Sequence, residues 1–331
     1  MLDINKYYIV RMNHRRFSLP VTTLFFLFVL LILSCSTPES LFFGTVLPDI
    51  NHPSDSLRIV ALGDAGTGGL PGGGNQQLVA DDLAHRADPA GSSPMDFVLY
   101  LGDNFYEEGV SSVFDPLWNT AFADVYDFSR LPLFYAVAGN HDYLGNVLAQ
   151  VDYSSLHTSW SMPALAFKIT YELSDGTFLH FIGIDTNILV NGGDDAEAHW
   201  TWLEQRLNEI SGGNILMFGH HPVYSAGSHG DTPVLVSRLQ PLMSTHGVDL
   251  YLAGHDHNLE IRQAVDGVRH VVSGSGGKLR AVTAETESLY AASVPGAVII
   301  ELDASGVTLI PRESGESDTG TDGTPVTWIW D

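Results

Sequence analysis

The chain has 331 residues, 44% of them apolar, with 39 Asp and Glu against 15 Lys and Arg and a formal net charge of −24. Such a surface repels polyanions, which argues against nucleic acid as a partner and reads otherwise as solubility or adaptation to salt. The apolar content suffices for a real core, and the single cysteine, Cys35, excludes disulfides within the chain.

The chain opens on a basic segment with Lys6, Arg11, Arg15 and Arg16, followed by an apolar run over Leu24–Leu33 and then Ile32-Leu33-Ser34-Cys35. The run is short for a membrane span, and residues 1–34 read as an export signal. The cysteine at its end resembles the lipobox of bacterial lipoproteins, where the thiol becomes the lipidated first residue. That implies an exported, lipid-anchored protein of the cell envelope; an ordinary signal, giving a secreted or periplasmic protein, or an uncleaved anchor is the alternative. Residues 35–54 then read as a flexible tether and 55–312 as one domain, since no Pro- or Ser-rich linker interrupts them.

Strands are predicted at 57–62, 96–101, 132–137, 165–172, 177–184, 214–219, 249–253, 259–264, 268–273, 297–302 and 306–310. Helices are predicted near 74–87, 114–127, 197–210 and 233–246; the third is the clearest, with Trp200, Leu203, Leu207 and Ile210 at helical spacing. Strands alternate with helices in the first half, which argues for a parallel α/β core. From Phe167 onward strands pair directly, with Ser174-Asp175-Gly176 and Asp266-Gly267 as hairpin turns. The fold class is therefore α/β: two mixed β-sheets facing each other with helices outside both, a four-layer α/β/β/α sandwich. Residues 313–331, rich in Ser, Gly, Thr, Asp and Glu, read as an acidic loop-like tail, although Thr327–Trp330 could dock back.

One phrase recurs five times, an apolar run followed by a small residue and then a side chain able to hold a metal. It is spelled Gly63-Asp64-Ala65-Gly66, Gly102-Asp103-Asn104-Phe105-Tyr106, Gly139-Asn140-His141-Asp142, Gly219-His220-His221-Pro222 and Gly254-His255-Asp256-His257. Parallel strands end along one edge of a sheet and ligands bind outside their carboxyl ends, so the five phrases are expected to converge. The candidate donors are Asp64, Asp103, Tyr106, Asn140, His220, His255 and His257. Hard cations prefer anionic oxygen and imidazole suits iron and zinc, so this pool describes a metal centre with more than one ion. A phenol loses its proton, pKa near 10, only to a strongly charged ion, so Tyr106 suggests Fe(III) at one position. His255 and His257 are two apart in extended chain and could serve one ion each across a pair about 3.5 Å apart. The glycine-rich run 66–74 lacks the Gly-Lys-Ser/Thr of a P-loop and reads as a mobile rim.

The order GDxG, GDxxY, GNHD, GHxP, GHxH resembles the calcineurin-like metallophosphoesterase superfamily, and the tyrosine of the second block narrows the resemblance to purple acid phosphatases. Longer stretches are similar to the small, tartrate-resistant branch: Gly102–Val110, Ala138–Val147, Gly219–Ser225 and Gly254–Leu259. The resemblance runs from about Ile59 to about Arg280 and implies the metallophosphoesterase fold. It also implies hydrolysis of phosphomonoesters by a metal-bound hydroxide at a dinuclear Fe(III)–M(II) centre, M being Fe, Zn or Mn. By motif position, Asp64, Tyr106 and His257 would bind the ferric ion, Asn140, His220 and His255 the divalent one, and Asp103 would bridge. His141 and His229, in Ser228-His229-Gly230-Asp231, would bind phosphate and serve the leaving group. The implied partners are small phosphorylated substrates, with membrane contact only through a lipid on Cys35. A phosphodiesterase or nucleotide-specific esterase on the same site is the alternative, as is a surface protein that captures phosphate through its metals. His221 reads as a spacer facing the other way, and His85, His157, His180, His199, His246 and His270 have no ligand context. The chain departs from the family it resembles in the short stretch from Thr186 to Ala196, where mammalian members carry a longer exposed loop that restrains activity and is removed by proteolysis, so that control is expected to be missing here.

Overall fold

A computed structural model of the chain describes residues 41–71, 74–87, 94–315 and 320–330. The expected signal, the expected lipidation site at Cys35 and the first part of the expected tether lie outside the described residues. In chain order the first strands are β1 (Gly44–Val46), β2 (Ile50–Asn51), β3 (Ser56–Leu62), β4 (Phe97–Tyr100), β5 (Phe134–Ala136), β6 (Trp160–Ser161), β7 (Ala166–Glu172), β8 (Phe178–Gly183) and β9 (Asn214–Phe218). They continue with β10 (Leu250–Ala253), β11 (Leu259–Arg262), β12 (Arg269–Ser273), β13 (Ser288–Ala292), β14 (Gly296–Asp303), β15 (Gly306–Glu313), β16 (Thr321–Asp322) and β17 (Val326–Ile329). The α-helices are α1 (Gln76–Arg86), α2 (Val147–Tyr153), α3 (Thr186–Asn191), α4 (Asp194–Asn208) and α5 (Gln240–Thr245).

The strands form two mixed sheets. One runs β16-β15-β14-β3-β4-β5-β6, with β17 also on β15; the other runs β1-β7-β8-β9-β10-β12-β11-β13, with β2 also on β7. Strands β3 to β6 pair parallel, as do β8, β9, β10 and β12, so the phrases after β3, β4, β5, β9 and β10 leave their sheets at carboxyl ends. Alternation along each strand builds the layers. Leu57, Ile59 and Ala61 of β3 face the core between the sheets, where they meet Phe167, Phe181, Leu216, Leu250 and Val271 of the other sheet. Val60 and Leu62 face outward and pack under Val79 and Leu83 of α1. On the far side, Ile182, Ile215 and Met217 pack under Trp200, Leu203 and Leu207 of α4. Strands buried on both faces cannot alternate polar with apolar residues, which is why they read as continuous hydrophobic runs. Fully burying each such side chain is worth about 1.5–3 kcal/mol, so the four layers hold one another.

Several expectations are corrected. The tether 35–54 is in part sheet: β1 and β2 lie parallel to β7, Phe42 stacks on His199 with ring centroids 4.4 Å apart, and Gly44 packs flat against the Trp202 indole. The Phe42 ring, held against His199 and Trp202, outweighs the polar residues around it. The tail 313–331 is likewise not all loop, because β16 and β17 pair with β15. Arg269 lies over the Trp328 ring at 4.3 Å, and the Trp330 indole N–H donates to Asp303 O. The expected helix at 114–127 is reduced to one π-turn at Asn119–Ala123, behind Pro116 and an Asp115 side chain that accepts from the Leu117 N–H. The expected helix at 233–246 is present: helical residues run from 233 to 245, with a π-turn at Leu235–Leu239 that passes without a break into α5, where Pro241 sits in the first turn. Helices α2 and α3 and strand β13 had no sequence expectation. Helix α3 is started by Asp185, whose carboxylate accepts from the Ile188 N–H. Among the described residues no helix is long and apolar enough to cross a membrane.

Two core histidines make stability pH-dependent. His199 and His270 are buried with no hydrogen-bond partner on either ring nitrogen, and burial pushes each down to about 3. Between the ordinary imidazole value of about 6.5 and that folded value the unfolded chain binds protons the folded chain refuses. Stability is therefore complete above about pH 6.5 and falls with pH by about 1.4 kcal/mol per unit for each group. His199→Phe, which keeps a ring against Phe42, is expected to reduce the loss of Tm between neutral pH and pH 4.5 by about 5 °C. An unaltered slope in calorimetric melts across that range would contradict it.

Candidate metal centre

The first requirement at the strand ends is room. A Cβ at Gly139 would stand 2.3 Å from Asp103 Oδ1, and one at Gly254 would stand 2.4 Å from Asp64 Oδ2. The glycines before Asn140 and His255 thus clear space for a carboxylate arriving from a neighbouring strand. The chain then turns sharply: Asp64, Asp103 and His255 take positive φ of 57°, 52° and 69°. Left-handed backbone is costly for a residue with a Cβ and gathers at functional sites.

All seven expected donors meet, in two groups. Tyr106 Oη lies 3.1 Å from Asp64 Oδ1 and 3.2 Å from His257 Nε2, which is itself 3.4 Å from Asp64 Oδ1. In the second group His220 Nε2 lies 3.1 Å from Asn140 Oδ1 and 3.2 Å from His255 Nδ1. Asp103 Oδ1 stands 3.5 Å from His220 Nε2, and ligand atoms of Asp64, Asp103 and His220 all lie within 4.8 Å of one another. Separations near 3.1–3.5 Å are those of donors about 2.0–2.2 Å from a shared ion.

The donor chemistry fits a cation. His220 Nδ1 donates to Leu101 O at 2.9 Å, which fixes the tautomer and leaves the Nε2 lone pair aimed at the oxygens of Asn140 and Asp103. Lone pairs facing lone pairs in a buried place need positive charge between them. Burial works to lower the His220 pKa, yet the Asp103 and Asp64 carboxylates outweigh it and raise the ring above its ordinary value. Burial and the same two carboxylates hold the Tyr106 phenol well above its ordinary value, so only a strongly charged ion could take its proton. Burial and the neighbouring His220 push His255 far down, leaving it a neutral donor.

Supporting contacts aim these side chains. The Thr186 hydroxyl oxygen accepts from the N–H groups of both His220 and His221. Asp142, buried under the site, accepts from the N–H groups of Gly139 (2.8 Å), Asn104 (3.1 Å) and Phe105 (3.2 Å) and from Gln150 Nε2 (2.9 Å). It joins the Asp103 loop to the Asn140 loop, and burial together with Asp103 pushes its carboxyl up to about 7. Its role had no sequence expectation, although an Asp three residues after Gly139 has the spacing of a carboxylate that turns back on its own backbone.

His141 and His229 flank the donors. The His141 backbone N–H donates to Asp103 Oδ1 at 2.9 Å, its Nδ1 meets Glu107 O at 2.6 Å, and its ring centroid is 4.7 Å from that of Tyr106. The His229 ring lies 4.3 Å from that of His255, its backbone N–H donates to Asp256 Oδ1, and its Nε2 abuts the Arg280 guanidinium. Partial burial and Arg280 lower the His229 pKa. His221 does not turn away as a spacer: it is buried, meets the Thr186 hydroxyl at 2.9 Å and packs 4.4 Å from the His255 ring. The start of the expected glycine-rich rim is no free edge either, since Gly66 and Thr67 are buried against the Asn104 and Gly277 loops. Two cations near the centre, Lys278 and Arg280, carried no sequence expectation; the available signal was two bases close together after Gly274–Gly277 in so acidic a chain.

A family model described as calcineurin-like phosphoesterase matches residues 57–259. The chain is 35% identical over 256 residues to the tartrate-resistant acid phosphatase type 5 of Mus musculus, a match covering 70% of this chain and 76% of that one. It is 34% identical over 259 residues to purple acid phosphatase 7 of Arabidopsis thaliana, covering 70% and 75%. Among solved structures, GAP50, the anchor in the inner membrane complex of Plasmodium, is similar with a TM-score of 0.72 at 25% identity, over 84% of this chain and 90% of that one.

Proposed function

The chain belongs to the purple acid phosphatases of the calcineurin-like phosphoesterase family, and from that premise we propose that it hydrolyses phosphomonoesters at an Fe(III)–M(II) pair held by the two donor groups. The observation that carries the reading is the meeting of Asp64, Tyr106 and His257 on one side and Asn140, His220 and His255 on the other, with Asp103 reaching toward both. Such a pair of cations, when bound, polarises a phosphate and lowers the pKa of water toward neutrality.

The chain's own residues supply the rest. Asp64, Asp103 and Tyr106 bring three groups able to carry negative charge against five positive charges, so the pocket stays net positive beneath an acidic exterior. Aspartate Asp103, holding the His141 N–H, sets the distance between the histidine and the donors. With Nδ1–H of His141 given to the Glu107 carbonyl, Nε2 is the atom left to exchange a proton with a leaving alkoxide. His229, beside the always-charged Arg280, is better suited to hold a phosphate oxygen than to store a proton.

Metal analysis of the purified protein, with rates on an aryl phosphate monoester and the matching diester from acid to neutral pH, tests this. The expected outcome is iron with a second metal, a visible phenolate-to-iron absorption, and preference for the monoester. Tyr106→Phe is expected to abolish that absorption. A colourless, zinc-only wild type of full activity would remove the ferric assignment. Faster turnover of the diester would move the reading to a phosphodiesterase, and two bound metals with no turnover to a phosphate-capturing protein.

A further inference from the structure

The donors of the divalent side come from different sheets. Asn140 follows β5 of the first sheet, whereas His220 and His255 follow β9 and β10 of the second. The 3.1 Å between Asn140 Oδ1 and His220 Nε2 is therefore a spacing between sheets. Near Asp64, backbone groups hold that spacing: the Gly63 N–H donates to Ser273 O at 2.8 Å and the His255 N–H to Asp64 Oδ2 at 2.7 Å. The turn that carries Asn140 is fastened to its own sheet by Asp142. Toward the second sheet it extends the side chain of Tyr143, whose hydroxyl donates to Asp185 Oδ2 at 2.6 Å.

Asp185 follows β8 of the second sheet and starts α3. Its carboxylate is buried and both oxygens are engaged, Oδ1 by the Ile188 N–H at 3.0 Å and Oδ2 by Tyr143. Burial and Asp185 hold the Tyr143 phenol well above its ordinary value, so it remains a donor from acid to neutral pH. A hydroxyl given to a carboxylate is among the stronger hydrogen bonds, and a buried carboxylate deprived of its donor is costly. The next residue, Thr186, accepts from the N–H groups of His220 at 3.2 Å and His221 at 2.9 Å. A continuous path thus joins the Asn140 turn to the His220 backbone through Tyr143, Asp185 and Thr186. We propose that Tyr143 is a positioning residue for the divalent ion: its bond to Asp185 holds Asn140 against His220 across the two sheets, so that it sets the affinity for that ion and leaves the ferric group unaffected.

The inference rests on the two-ion reading of the centre. Without the strap, the Asn140 turn is tied to the first sheet alone, and part of the ion's binding energy goes into drawing it back to the histidines of the second. Outer contacts that orient ligands in this way change metal affinity about ten- to a hundredfold.

Protein holding iron in the ferric site, with the second ion stripped by a chelator, would be titrated with zinc by calorimetry while its visible absorption is recorded. Tyr143→Phe, which keeps the ring and removes the donor, is expected to weaken zinc about ten- to a hundredfold and to leave the phenolate-to-iron band unmoved. Turnover of an aryl phosphate monoester should fall at limiting zinc and recover in excess zinc. Asp185→Asn, which keeps an oxygen for the Ile188 N–H, is expected to weaken zinc to a similar degree. The double variant should lie within about threefold of either single one, because both remove the same bond. A Tyr143 that only braces the fold would lower Tm and leave zinc affinity as it was; that result, or losses that add in the double variant, would overturn the proposal. A wild type that holds a single ion would overturn this inference and the two-ion reading together. If zinc bound beside iron in a Tyr143-dependent way but no phosphate ester was cleaved, the phosphatase reading would fail and this one would stand.

Discussion

Asp103→Asn is expected to lower kcat/KM for an aryl phosphate monoester by about three orders of magnitude and to leave about one metal ion per chain in place of the two proposed for the wild type. The side chain is buried, sits on backbone with φ of 52°, and places Oδ1 2.9 Å from the His141 N–H and 3.5 Å from His220 Nε2. It is the carboxylate positioned between the two donor groups. Asparagine keeps its shape and can still accept from His141, so the fold should persist. What is lost is the charge and the second anionic oxygen, without which one residue cannot serve two cations. Metal content measured beside steady-state rates decides it: two ions and near wild-type turnover in the variant would mean that Asp103 only braces the loop.

Asp142→Ala is expected to cost about 4 kcal/mol of stability, read by denaturant unfolding, and to remove activity with it. Three backbone N–H groups, those of Gly139, Asn104 and Phe105, converge on this buried carboxylate together with Gln150 Nε2. Truncation leaves them unpaired in a place water does not reach, and each such donor costs about 1–3 kcal/mol. The loops it joins carry Asp103 and Asn140, so one donor group would lose its register to the other. A loss below about 1 kcal/mol would show that the loops are held by other contacts.

The two predictions concern residues of unequal visibility. Asp103 stands in a phrase that recurs after five apolar runs, and its chemistry could be read from its type and position. Asp142 stands in one of the same phrases, and its spacing marks the local bond to Gly139, but its bonds to the Asn104 and Phe105 N–H groups are distant in the chain, and distant backbone partners leave no mark in a string of side chains. The same reason hid Thr186, which receives the N–H groups of His220 and His221. It also hid Arg280, which reaches the centre because its loop is tied to Gly63 and His257, distant in the chain and adjacent in space. Errors of element type had a local cause. Pro116 cut short a helix that periodicity had extended across it, whereas Phe42 and Trp328 drew polar segments onto the sheets through contacts of their rings.

Residue order alone determined the layered α/β architecture and pointed to the seven candidate donors, because strands buried on both faces must be apolar throughout and ligand types are few. Tertiary structure alone decided the distances at which those candidates meet, which glycines make way for which carboxylates, and that two cations overhang the centre. Those are matters of distance between segments far apart in the chain, and distance of that kind is set by sheet order and packing, which no single stretch of sequence encodes.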